Sequence, residues 1–211
     1  MKGLLLKDIY MALKYCRAYL LITLVFAIVF MIEDTNLFFL FYPMILAGVI
    51  PVNLISYDEK SGWMTYSAIM PYTRRQMVTA KYIFVLMVLG GSVALVTVTR
   101  LIHTLFAGQT DWVGFIMAIV LLVAASMVVP SLLLPVVFKY GVEKGRLFFY
   151  IVVVVAAGGC GAIGAAAVDN SFIDMLASIG GWLAPLALAT SALLLTGSWL
   201  LSIRFYEKRE L

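Results

Sequence analysis

Charged residues, histidine and cysteine are all scarce in this chain. Only 12% of the 211 residues are charged, while 64% are hydrophobic and the mean hydropathy is +1.06. A soluble domain carries about 25% charged residues, which help to cover its surface with polar groups. The composition therefore excludes an ordinary soluble domain and predicts an all-α, polytopic membrane protein. At about 20 apolar residues per span, the length fits roughly five to seven transmembrane helices.

Few side chains could support catalysis or hold a metal inside a membrane. His103 is the sole histidine, and the threading below places it at the outer interface beside Arg100. The two cysteines, Cys16 and Cys160, are predicted near one interface and inside a span, so we expect neither a disulfide nor a cysteine metal site. No P-loop occurs. The sequence therefore predicts no metal, no resident cofactor and no catalytic activity in this chain.

The basic residues are distributed asymmetrically along the chain. One threading of six apolar stretches puts fourteen of the 15 Lys and Arg residues on one side, with Arg100 as the exception. Such a bias marks the cytoplasmic side of a membrane, so both termini are predicted to be cytoplasmic, in the plasma membrane. The net charge of +4 then reflects orientation rather than nucleic-acid binding. The predicted spans are 18–32, 37–57, 82–103, 113–138, 147–168 and 180–203.

The segments between and before these spans are short. Residues 1–17 place apolar and basic side chains on different faces at helical spacing, which predicts an amphipathic helix along the inner leaflet; the alternative is a frayed lead-in to the first span. We expect a turn at Glu33 and Asp34, a basic loop at 139–146 and an acidic loop at 169–174. No predicted span carries an ionisable residue well inside it, which argues against ion-coupled transport.

The longest polar stretch follows the second predicted span. Trp63, Tyr66 and Met70 share one helical face, and Pro71 ends that helix because the residue before proline avoids helical geometry. Residues 73–76 have the Thr-x-x-Gln form of a capping box that would open the third span. The pattern predicts a short surface helix at 58–71, with its apolar face on the bundle and its acidic start in the cytosol. The alternative is a passive loop anchored by its aromatic residues.

This stretch resembles a known family. An acidic patch, Gly62-Trp63, an aromatic residue, Pro71, an arginine pair and Lys81 are similar to the region after the second span of ABC-2 type permeases, the membrane subunits of ATP-binding cassette exporters. The layout of six spans with an N-terminal amphipathic helix resembles that family over nearly the whole chain. The resemblance is closest to small bacterial peptide exporters, such as the permeases that export phenol-soluble modulins.

The resemblance implies a function and a set of partners. The chain would be a non-catalytic permease subunit, and a separate cytoplasmic ATP-binding cassette subunit would hold ATP and Mg²⁺. Residues 58–71 would form a coupling helix that docks on that subunit, and the N-terminal helix would touch it too. Two permease subunits, identical or different, would pair in the bilayer, without nucleic acid. The implied coupling residues are Asp58, Glu59, Lys60, Gly62, Trp63, Tyr66, Met70, Arg74 and Arg75.

Two further groups of residues have a structural and a functional interpretation. Asn53 and Ser56 are the most polar part of a predicted span interior, and they either face a translocation path or hydrogen-bond a neighbouring helix. Small residues in the fifth predicted span allow close helix packing, either between two subunits or inside one bundle. The glycines concerned are Gly158, Gly161 and Gly164.

Two other functions remain open at this stage. A membrane anchor or immunity-type protein would bind a partner without transporting anything, and co-purification with an ATPase subunit would argue against it. An intramembrane enzyme acting on lipids would need clustered polar residues at one depth, and it would depend on His103.

Overall fold

The fold is helical throughout the described part of the chain. The computed structural model describes residues 2–32, 38–63, 66, 72–107, 112–148, 150–151 and 170–208. These residues are helical except for short breaks at 16, 61–62, 72–73 and 141, and none of them lies in a strand. The all-α prediction is therefore confirmed for these ranges.

Six long helices carry the structure of the described ranges. Residues 142–148 are also helical, and Gly141 separates them from the helix before it by adopting a left-handed conformation (φ 85°), which glycine tolerates at a helix end. The long helices are α1 (Lys2–Tyr15), α2 (Arg17–Ile32), α3 (Phe38–Lys60), α4 (Arg74–Ala107), α5 (Trp112–Tyr140) and α6 (Asn170–Lys208).

Three helices in the described ranges are long and apolar enough to cross a membrane. They are Arg74–Ile102, Phe115–Tyr140 and Ala184–Lys208, with mean hydropathies of 2.2, 2.6 and 1.7. A fourth is obtained if Lys2–Tyr15 and Arg17–Phe26, bent by 70°, form one broken span. The three correspond to the third, fourth and sixth predicted spans. The total of six stays a prediction, and residues 152–168 of the fifth lie outside the described ranges.

Two predicted loops are helical instead. The basic stretch 139–146 is helical on both sides of Gly141, and residues 170–174 of the acidic stretch form the start of α6. Charge alone does not end a helix, and neither glycine nor proline, the residues that most often do, occurs between residue 170 and Gly180. The turn predicted at Glu33 and Asp34 lies outside the described residues.

The main core lies where α3, α4, α5 and α6 meet. Glycine allows α3 and α5 to approach closely, since a Cβ on Gly48 would lie 3.0 Å from Val129 Cγ1. A second cluster joins Cys16, at the break between α1 and α2, to α3 and α4. The Cys16 thiol is buried and free, and Cys160 lies outside the described residues. The core side chains of α4, α5 and α6 include Val85, Leu133, Leu134, Val137, Ile203 and Tyr206.

Candidate functional site

The end of α3 differs from the predicted start of a separate surface helix. The helix continues through Asp58 and Glu59 to Lys60, and no glycine or proline occurs between Pro51 and Gly62. It ends at Gly62, which has a φ of 69° and donates a hydrogen bond to the Glu59 carbonyl at 3.3 Å. The two acidic residues therefore form the last turn of α3. Of the rest of the predicted 58–71 helix, residues 63 and 66 are helical, and 64–65 and 67–71 lie outside the described residues.

Asp58 belongs to a buried group of four charges, here named the Lys81 cluster: Lys7, Asp8, Asp58 and Lys81. Lys81 Nζ donates to Asp8 Oδ1 and Asp58 Oδ2, both at 2.7 Å, and Lys7 Nζ donates to Asp58 Oδ1 at 2.7 Å. The cluster joins α1, the end of α3 and the start of α4. The prediction that Asp58 faces the cytosol is wrong, since Asp58 is 2% exposed. A buried carboxylate requires charged partners, and here it has two.

Trp63 lies beside this cluster. Its ring centroid is 4.3 Å from Lys7 Nζ, a cation–π arrangement, and 5.9 Å from the Tyr66 ring. Trp63 and Tyr66 are therefore neighbours, as predicted, whereas Met70 is outside the described residues. The predicted contact between the apolar face and the bundle applies to Trp63, which lines a narrow cavity with Phe138 and Tyr206. It fails for Tyr66, which is exposed.

The other polar residues near the end of α3 bind different neighbours. Glu59 Oε2 accepts a hydrogen bond from the Val142 N–H at 3.3 Å, where a carboxylate favours the start of a helix. Arg146 Nη2 donates to Ser56 Oγ at 3.3 Å. Asn53 Nδ2 donates to the Tyr19 hydroxyl at 3.0 Å. These hydrogen bonds fit the structural interpretation of Asn53 and Ser56, and a position on a translocation path stays a prediction.

The start of α4 has the predicted capping box. Gln76 N–H donates to Thr73 Oγ1 at 3.2 Å, and Thr73 N–H donates to Gln76 Oε1 at 3.1 Å. Arg74 Nη1 donates to the Glu207 carbonyl at 3.0 Å, so it satisfies a carbonyl at the end of α6. Arg75 is exposed, as is Lys60. Gly158, Gly161 and Gly164 lie outside the described residues.

A comparison with protein families identifies the family of this chain. Residues 3–207 match the family described as ABC-2 family transporter protein. The chain belongs to the ABC-2 transporter family. This ABC-2 chain is accordingly a multi-pass membrane protein and the permease of an ATP-binding cassette transporter, which works with an ATP-binding cassette subunit. No curated protein and no solved structure matches the chain.

Sequence reasoning missed most of the Lys81 cluster in this ABC-2 chain. Lys81 served only to mark the start of a span, and Asp8 had no role. A usable signal existed: Asp8, Asp58 and Lys81 lie near one predicted membrane surface, in a chain with few charges. Charges that are taken out of water near a bilayer usually pair with one another. No group of three metal-ligating side chains occurs among the residues the structure describes, and the side chain of His103 is not among them.

Proposed function

We propose that this ABC-2 chain is the permease subunit of an exporter that moves amphipathic peptides or other hydrophobic compounds out across the cytoplasmic membrane. A separate cytoplasmic subunit binds ATP and Mg²⁺ and hydrolyses the nucleotide. Two permease subunits, identical or related, pair around the path. Both termini and the 58–71 segment lie on the cytoplasmic side of the membrane, where exposed basic residues such as Lys60 and Arg75 face the cytoplasm while Asp58 stays buried.

The observation that carries the coupling role is the position of the Lys81 cluster. It joins the N-terminal helix and the start of α4 to Asp58, and Trp63 follows Asp58 by five residues along the chain. A push on residues 58–71 from the ATP-binding subunit would therefore reach three helices at once. Glu59, which contacts Val142, extends that connection to residues 142–148. Binding of ATP would switch the paired bundles between inward-facing and outward-facing or collapsed states.

The distribution of charge supports an apolar or amphipathic substrate. In the three spans that the structure describes, every charged residue lies within about two turns of a helix end. A path for a sugar or an ion would instead place charged or strongly polar groups at depth. A path lined mainly by apolar and aromatic side chains would suit an amphipathic peptide or a lipid-like molecule.

Reconstitution in liposomes with the ATP-binding subunit tests this function. The measurements are ATP hydrolysis and uptake of a fluorescent amphipathic peptide into inside-out vesicles. We expect Trp63→Ala and Glu59→Gln to lower peptide transport per ATP roughly tenfold, within the range of typical coupling free energies. Trp182→Ala, which alters an exposed tryptophan on α6, is the matched control and should leave the ratio unchanged.

Two results would contradict the proposal. An unchanged ratio in both Trp63→Ala and Glu59→Gln would remove the coupling role from this segment. If the wild-type complex forms and hydrolyses ATP but never transports peptide, the anchor or immunity-type alternative would be favoured.

A further inference from the structure

The four members of the Lys81 cluster are not equally fixed. The Asp8 and Asp58 side chains are 2% exposed and that of Lys81 is 11% exposed, whereas that of Lys7 is 22% exposed. Lys81 bonds both carboxylates at 2.7 Å. Lys7 bonds Asp58 at 2.7 Å and lies farther from Asp8, at 3.4 Å. Removing Lys81 would thus take a 2.7 Å ion pair from each buried carboxylate, while moving Lys7 breaks one short bond to Asp58 and the longer contact with Asp8 at the edge of the cluster.

Lys7 also contacts the residue directly beyond the turn that ends α3. Its Nζ lies 4.3 Å from the centroid of the Trp63 ring. Gly62, which precedes Trp63, has a left-handed φ of 69°, and no described residue lies within 4 Å of the position that a Cβ would take there. In the part of the chain that the structure describes, no packing contact therefore holds the turn on the side where a Gly62 side chain would point. Lys7 holds Asp58, which is fixed, and Trp63, which follows an open turn.

We propose that Lys7 is a movable contact in energy coupling, which releases Asp58 when Trp63 is displaced. Lys81 keeps α1, α3 and α4 joined during this change, because it remains bonded to Asp8 and Asp58. Lys7 acts as a positioning residue and binds no substrate. This inference rests on the proposed function, in which the ATP-binding subunit moves residues 58–71.

Charge balance favours the state in which Lys7 is bound to Asp58. With Lys7 in place, two lysines balance two aspartates. Without it, one buried negative charge is left without a balancing cation, which is unfavourable in a poorly solvated site. The arrangement with Lys7 on Asp58 is the resting state, and displacement of Trp63 must be driven from outside. Removing the Lys7 charge should therefore make the displaced state easier to reach.

Spin-label distances in the complete transporter test this inference. Nitroxides are placed on Tyr66→Cys, beyond the Gly62 turn and next to Trp63, and on Arg75→Cys, both exposed positions, in a Cys16→Ala, Cys160→Ala background. The complex with the ATP-binding subunit is measured without nucleotide and after trapping with ATP and vanadate. Lys7→Met is compared with Lys14→Met, a matched control on the same helix, whose Nζ lies 5.3 Å from the centroid of an aromatic ring. Lys7→Arg keeps the charge and the ring contact.

The expected result is specific to Lys7. Trapping with ATP and vanadate gives a characteristic distance between the two labels. Without nucleotide, Lys7→Met should raise the population at that distance about tenfold, the effect of losing one charge-assisted hydrogen bond. Lys14→Met and Lys7→Arg should match the wild type. A Lys7→Met distribution identical to that of the wild type, in a complex whose wild type responds to trapping, would overturn the inference. A wild type that does not respond to trapping would instead overturn the proposed coupling role of this segment.

Thermal unfolding of the isolated chain gives a second test that needs no partner. Lys7→Met should lower the unfolding midpoint less than Lys81→Met does, because Lys7 lies at the exposed edge of the cluster. Equal losses would show that Lys7 is as fixed as Lys81 and would overturn the inference, whatever the function of the transporter.

Discussion

Two consecutive residues connect α4 to opposite parts of the bundle by different chemistry. Lys81 joins α4 to α1 and α3 through buried ion pairs. Tyr82 joins it to α6 through a neutral hydroxyl group, with its oxygen 2.6 Å from Ser198 Oγ and 2.7 Å from Ser202 Oγ. Removing one partner of a buried ion pair costs much folding stability, whereas each neutral hydroxyl hydrogen bond between membrane helices adds little stability. On its α1 and α3 side, α4 is thus held by one buried ion-pair cluster whose disruption costs much stability. On its α6 side, several contacts of small individual energy hold it.

The α6 side repeats its contacts along the helix. Trp199 Nε1 donates to Thr79 Oγ1 at 3.2 Å, and the Tyr206 hydroxyl contacts Met77 Sδ at 3.8 Å. Arg74 adds its bond to the Glu207 carbonyl. Since these contacts are spread over several turns, α4 and α6 should stay together through a change that rearranges the Lys81 cluster.

The largest effect is expected from Lys81→Met, which leaves two buried carboxylates with less compensation. The loss of stability should be about 3–5 kcal/mol, the usual result of removing one partner from a buried ion pair. The unfolding midpoint of the purified chain in lipid nanodiscs measures it. Arg75→Met, at an exposed position on the same helix, is the control; a Lys81→Met loss no greater than this control would contradict the special weight given to the cluster.

A smaller effect is expected from Gly145→Ala, which changes packing rather than charge near the same end of α3. A Cβ at residue 145 would lie 2.5 Å from Val137 Cγ2, so a side chain or the backbone must shift, at about 1–3 kcal/mol. Gly90→Ala, further along α4, places its Cβ more than 4 Å from the rest of the described chain and should be neutral or slightly stabilising. Denaturant titration compares the two variants, and equal effects would mean that residues 142–148 are not tightly packed on α5.

The smallest effect is expected from Tyr82→Phe, which removes one hydroxyl from the α6 side. Ser198 and Ser202 can turn to carbonyls of their own helix, so the loss should be about 0.6–1 kcal/mol. The same unfolding measurement as for Lys81→Met applies. A loss as large as that of Lys81→Met would erase the proposed difference between the two sides of α4.

Local features of this chain could be read from the sequence with good accuracy. The Thr73–Gln76 capping box was predicted and is present, because both partners lie within one helical turn. The spans at Arg74–Ile102 and Phe115–Tyr140 follow from long, mainly apolar stretches. The loop predictions at 139–146 and 170–174 were inferred from charge, which helices tolerate; the first stretch breaks only at Gly141, and the second is helical. The start of the coupling helix was wrong because Asp58 and Glu59 were assigned by polarity rather than by the position of Gly62.

By itself, the sequence determined that lipid surrounds most of this chain, that its segments are helical, and that a capping box opens α4. Each of these depends on residues close together along the chain or on overall composition. Only the tertiary structure decided that Asp8 and Asp58, 73 and 23 residues from Lys81, meet at one ammonium group. The reason is that an ion pair between helices depends on their relative rotation and offset, which are set by how α1, α3 and α4 pack together.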